Sequence, residues 1–110
     1  VRDDRERLLD VLEAIERIER YAARGRAEFE ANELVQVWIV RHLEIIGEAV
    51  RGITPEFQNR HPGVPWREIS ALRNVLAHEH FDIDLDEVWA VVGTELPELR
   101  ARVAAILDEL

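Results

Sequence analysis

The last segment of the chain carries the pattern that most restricts its fold. Leu85, Val92, Leu99 and Ile106 recur at steps of seven, and so do Trp89, Leu96, Val103 and Leu110. Two interleaved apolar series of this kind form a seam along one helix, which must be buried against others. Asp84 precedes the seam and Glu87 follows three residues on, a capping-box-like start in which Asp replaces the usual Ser or Thr. Pro97 interrupts, but its ring would press on the carbonyl of residue 93, a glycine, and the seam keeps its register across it. One kinked helix is expected, with two shorter ones as the alternative.

Helical spacing accounts for most of the remaining chain. From Asp3 to about Arg24, Leu8, Leu12, Ile15, Ile18 and Ala22 step by three and four, and Gly25 closes that helix. A second long helix spans "NELVQVWIVRHLEIIGEAVRG". Its consecutive Val37, Trp38, Ile39 and Val40 point all round the cylinder, so more than one face needs burial, and the second is expected to pack against another subunit. Thr54 before Pro55 has the chemistry of a short helical turn, and from about Pro65 a third helix follows Trp66, Ile69, Leu72 and Leu76 toward the histidines. These elements give an all-α, up-and-down bundle of four main helices plus a short helical turn.

A length of 110 residues suits one domain, 1–110, with one modest core. With no cysteine, neither a disulfide framework nor a thiolate metal site is available, which fits a reducing cytoplasm. No apolar run approaches the roughly 18 residues of a membrane span. All fourteen basic side chains are arginines, a feature that a GC-rich genome explains as well as phosphate binding does.

The net charge of −9 argues against casual nucleic-acid binding, since non-specific affinity comes mostly from neutralising phosphates. Its distribution is uneven. Residues 51–78 carry four arginines against two acids, while the segments on either side are net negative. This positive strip leads into "RNVLAHEHFDID", Arg73 to Asp84, where an arginine, an asparagine and two of the four histidines crowd together.

Asn74 and His78 share a helical row at i, i+4, so the amide could hold the imidazole in one tautomer. Arg73 and His78, five apart, lie about 140° from each other on a helix. They converge on one ligand only if the helix ends around His78 or if a groove, such as one between subunits, receives both. An arginine and a histidine are sufficient for metal-independent RNA cleavage: the 2′-hydroxyl attacks phosphorus, His moves a proton and Arg stabilises the phosphoryl charge. Spacing alone favours a plainer reading, in which Arg73 and His78 cap carbonyls or pair with Glu79, Asp82 and Asp84. "HEH" is a weak metal signal without further ligands, and no metal or cofactor is expected. His42 and His61 read as helix-surface and loop residues, and Trp38, Trp66 and Trp89 as core rather than base-stacking platforms.

Taken in order, "LEIIGEA", "TPEF", "HPGVPW", "LRNVLAHEHFDID", and "VW" before "LPEL" resemble the HepT-like (DUF86) branch of the HEPN ribonuclease superfamily, from about Leu34 to Leu99. The resemblance implies a HEPN-like helical bundle that dimerises, bringing Arg-x4-His pairs from both subunits into a shared cleft. It also implies the toxin ribonuclease of a toxin–antitoxin pair, whose antitoxin is a minimal nucleotidyltransferase. Carried over, the arginine is Arg73, the histidine His78 and the polar position after the arginine Asn74. Glu44 and Glu48 match the "E-x-x-G-E" of the family and could line the cleft; a solvated or helix-pairing role fits them as well.

The family pattern continues His-x-Tyr, and the tyrosine is where the antitoxin attaches AMP. Here that position is His80, which lacks the phenolic hydroxyl. Two main expectations follow. One is a homodimeric, metal-independent endoribonuclease acting on RNA through Arg73, His78 and Asn74. The other, which His80 favours, is a non-catalytic helical module that pairs with the nucleotidyltransferase. A nucleotide-binding regulator using the same cleft is a third.

Overall fold

Three helical hairpin partners and one long, interrupted helix build the molecule. The computed structural model describes residues 2–78 and 83–110, with the backbone alone at 74–78. The helices are α1 (Asp4–Ala22), α2 (Arg26–Ala31), α3 (Glu33–Arg51), α4 (Pro55–Arg60), α5 (Trp66–His78), α6 (Leu85–Ala90) and α7 (Leu96–Glu109). Between α6 and α7, Val91–Glu95 form a π-helical turn. The expected four long helices are therefore α1, α3, α5 and the α6–α7 run, in an up-and-down bundle.

Helix starts follow local chemistry. The Asp3 carboxylate accepts from the Glu6 N–H at 2.8 Å while Glu6 accepts from the Asp3 N–H at 3.2 Å, a full capping box. Asn32 Oδ1 accepts from Leu34 and Val35 and starts α3. Thr54 caps α4 with Pro55 in its first turn, and the Asp84 carboxylate accepts from the Glu87 N–H at 3.1 Å, as the sequence suggests. Asp4 also reaches across to Thr54, accepting from its N–H at 2.8 Å and its hydroxyl at 2.7 Å, which ties the start of α1 to the start of α4.

Two features differ from the sequence reading. Gly25 does close α1, but at φ 97° it turns the chain straight into a further short helix, α2. That helix drives Phe29 fully into the core, where its ring lies 5.2 Å from Trp89. The second feature concerns Pro97. Instead of a simple kink, the helix widens just ahead of the proline, and the Leu96 N–H bonds to the carbonyl of Val91, five residues back. Ala90, Val91 and Leu96 all keep right-handed helical backbone, so α6 and α7 stay continuous through the wide turn.

The extra residue rotates the buried stripe. After the turn Leu96, Leu99, Val103 and Ile106 are buried as the seam requires, and Val92 joins them, whereas Leu110, the last member of the seam, is 58% exposed. Before it, Val88 takes the deepest place while Leu85 and Trp89 are half-buried. The core is completed by Leu8, Val11, Ile15 and Ile18 of α1, Ile39, Leu43, Ile46 and Val50 of α3, and Trp66 and Ile69 of α5.

Helix α3 is central: it packs on α1 along one side and on α5 along the other, and α7 packs on α1. Of the consecutive apolar run, Ile39 and Val40 are buried and Trp38 half-buried, its Nε1–H donating to the Arg17 carbonyl at 3.0 Å and its ring edge-on to Tyr21. Val37 is 52% exposed and Leu34 82%, so an apolar patch on α3 faces outward from this chain. No described helix is long and apolar enough to cross a membrane.

Candidate functional site

The groove that holds the first of the predicted site residues begins with a close helix crossing. A Cβ added to Gly47 on α3 would stand 2.9 Å from the amide nitrogen of Arg73 on α5, 3.1 Å from the Arg73 Cβ and 3.3 Å from the Ile69 carbonyl oxygen. Only a residue without a side chain lets the two backbones approach this closely. The consequence is positional: the Arg73 side chain emerges beside α3, where its Nε forms an ion pair with Glu48 Oε2 at 2.6 Å.

Arg73 and Glu48 line a groove of about 450 Å³ formed by α1 and α3, to which α5 contributes Arg73. Glu44 lines the same groove, so the structure brings three of the sequence-selected residues, Arg73, Glu44 and Glu48, to one surface. Sequence reasoning missed the rest of the wall: Arg7, Asp10, Glu13 and Arg17 from α1, and Arg41 and His42 from α3. Charges alternate within it. Glu13 pairs with Arg17 at 2.6 Å, Glu44 with Arg41 at 3.6 Å, and Asp10 with Arg2 at 2.6 Å. The bond to Asp10 raises the pKa of Arg2 above the ordinary arginine value. Arg7 extends over Gly52 and has no ion pair among the described residues.

Exposure decides how firmly Arg73 is held. Its side chain is 38% exposed and that of Glu48 is 62% exposed. Pairs so open to water contribute about 0 to 1 kcal/mol, so an incoming anion can displace the carboxylate at small cost. A guanidinium suits a phosphate well because its planar fork can donate two parallel hydrogen bonds.

On α5 the backbone places Asn74 and His78 one turn apart on a common row, and Arg73 on a different face. The side chains of Asn74 and His78, and the whole of His80, lie outside the described residues, so the "HEH" cluster does as well. Among the described residues no group of three or more His, Asp or Glu side chains is gathered to hold a metal ion.

His42 requires a correction. It is 5% exposed rather than a helix-surface residue, and its Nδ1 lies 2.7 Å from the Trp38 carbonyl oxygen. The signal was in the spacing, since His42 falls three after Ile39 and four before Ile46, on the inward row. His61 sits where the loop reading put it, at the end of α4, with its ring 4.8 Å from Phe57. The three tryptophans pack against the core as expected.

Comparison with known proteins points in the direction of the sequence motifs. The family model described as "Ribonuclease HepT-like" matches residues 11–106. A protein of Thermococcus cleftensis named "Probable ribonuclease HepT" is 36% identical over 92% of this chain and 93% of its own length. A "Putative RNase" of Caldanaerobacter subterraneus is 38% identical over 84% of this chain and 82% of its own. A protein of Methanocaldococcus jannaschii, named "Gamma-glutamylcyclotransferase and putative RNase", is 34% identical over 91% of this chain, which spans 46% of its length. No solved structure matches the chain.

Proposed function

Because the chain belongs to the ribonuclease HepT-like family, we propose that it is an endoribonuclease, the toxin of a toxin–antitoxin pair, working as a homodimer that cuts RNA without a metal. In this reading the ribose 2′ oxygen attacks the adjacent phosphorus, the bond to the 5′ oxygen breaks, and the products carry a 2′,3′-cyclic phosphate and a 5′-hydroxyl. Arg73 stabilises charge on the non-bridging oxygens. His78 moves protons, one copy taking that of the 2′-hydroxyl while the copy from the second subunit gives one to the 5′ oxygen. Asn74, on the row of His78, orients its imidazole. The antitoxin is a minimal nucleotidyltransferase, and its site of action on the toxin includes the position of His80.

The observation that carries this reading is the presentation of Arg73: held close to Gly47 at its backbone, yet paired through its guanidinium, among the described residues, with an exposed carboxylate that lines a groove. The apolar patch at Leu34 and Val37 supports a second copy as the partner of α3. The test is cleavage of RNA by the purified protein in EDTA, comparing the parent with His78→Ala and His80→Tyr. Products ending in 2′,3′-cyclic phosphate, lost in His78→Ala and kept in His80→Tyr, are expected. Activity that survives His78→Ala in a folded protein sinks the mechanism. A second reading, a non-catalytic module that binds the nucleotidyltransferase, is favoured by His80 in place of tyrosine; inactivity of all three proteins would select it.

A further inference from the structure

Of the two histidines with described side chains, His42 is the one held by a hydrogen-bond partner to its ring. A carbonyl oxygen can only accept, so the 2.7 Å contact to the Trp38 oxygen places a hydrogen on Nδ1. In the neutral ring Nε2 is therefore an acceptor. Nε2 has no hydrogen-bond partner among the described residues, and no buried side-chain nitrogen or oxygen among them is left without one. Nε2 is thus not fully enclosed, although the residue as a whole is only 5% exposed, and His42 lines the groove shared with Arg73. Trp38 backs the imidazole at 4.3 Å between ring centroids, which fixes its plane.

The spacing decides what this acceptor can meet. His42 precedes Glu48, the partner of Arg73, by six residues on one helix, a rise of about 9 Å. That rise is comparable with the step from a phosphate held by Arg73 to the base of a neighbouring nucleotide. Along this step the carboxylates Glu13, Glu44 and Glu48 are each paired with an arginine, so the groove is close to neutral while Arg7 remains for a second phosphate.

We propose that the groove is a nucleotide subsite next to the phosphate held by Arg73, in which His42 Nε2 accepts a hydrogen bond from the exocyclic amino group of a base. The assignment rests on the ribonuclease reading for its place in an RNA chain, but the binding it describes does not need catalysis. Adenine, cytosine and guanine carry such an amino group. Uracil offers only an N3–H flanked by two carbonyl oxygens, whose lone pairs repel the ring acceptor, so uracil is disfavoured. His42 is a specificity-determining residue here, not a proton carrier.

The experiment is a titration of the full chain, with its histidines labelled with ¹⁵N, by 5′-CMP, 5′-UMP and inorganic phosphate, followed by NMR. CMP is expected to shift the Nε2 resonance of His42 saturably, UMP to bind at least threefold more weakly, and phosphate to leave His42 unmoved. His42→Gln, which retains an acceptor, should keep the preference for CMP, and His42→Phe should lose it with the melting temperature near that of the parent. A resonance that does not respond to CMP, or responds equally to phosphate or UMP, overturns the proposal, as does a folded His42→Phe that still prefers CMP. RNA cleavage without this binding removes the subsite and leaves the ribonuclease; binding without cleavage removes the ribonuclease and leaves the subsite.

Discussion

Gly47 and Arg73 are in backbone contact: a Cβ at position 47 would lie 2.9 Å from the Arg73 amide nitrogen. Backbone cannot swing aside as the end of a side chain can, so any residue other than glycine must push α3 and α5 apart. Gly47→Ala is expected to cost about 1 to 3 kcal/mol of stability, the usual range for overpacking. It should also weaken RNA binding, because it displaces the helix that carries Arg73. Chemical denaturation and a binding titration check the two effects together; a variant of parental stability and affinity would show that the crossing is not a constraint.

Glu48 neutralises Arg73 across an exposed 2.6 Å pair. Replacing it with glutamine keeps the shape and removes the competing charge. Glu48→Gln is expected to tighten RNA binding by about two- to fivefold, the worth of an exposed ion pair, with folding unchanged. Fluorescence anisotropy with a labelled single-stranded RNA measures it. Weaker binding would mean that the carboxylate itself contacts the RNA or holds Arg73 in its working position.

The helix caps were legible because they are local: Thr54-Pro55 and Asp84 with Glu87 each bring their chemistry within four residues. The long helices were legible because their apolar stripes repeat. Helix α2 was not, since "RAEFEA" has one large apolar side chain and no room for a period, and what holds it is Phe29 meeting Trp89, sixty residues away. His42 was misplaced because a lone histidine counts as polar, although its row is apolar. That Gly47 meets the backbone of Arg73 is a tertiary fact, which its place in "LEIIGEA" does not announce. The pairing of Arg73 with Glu48 also crosses between helices, and nothing in the spacing of either announces it.

The wide turn before Pro97 gives a prediction about what sets its geometry. If Val91–Glu95 tightened to ordinary α-helix, the residues ahead of it would rotate by about 100° per residue removed from the bulge. Val88, now 1% exposed, would leave the core. Burial of a valine is worth about 1.5 to 3 kcal/mol, so packing on both sides of the turn holds it open. Pro97→Ala should then change stability by less than about 1 kcal/mol, against about 3 kcal/mol for relief of a proline strained inside a helix. Urea unfolding distinguishes the two, and a gain near the larger figure would show that the proline, not the core, imposes the turn.

Salt dependence offers a separate measure of how RNA reaches so acidic a protein. The net charge of −9 repels a polyanion, so attraction has to come from the few arginines that face the groove. Each phosphate neutralised by a protein cation releases counterions, contributing about 0.7 to the slope of log affinity against log salt for a single strand. Arg73→Ala is expected to lower the magnitude of that slope by about this amount and to weaken binding at low salt. Arg24, which lies over the ring of Tyr21 and does not line the groove, provides the control: Arg24→Ala should leave the slope unchanged. Equal effects of the two substitutions would mean that RNA senses only the overall charge, and that the groove beside Arg73 is not where it binds.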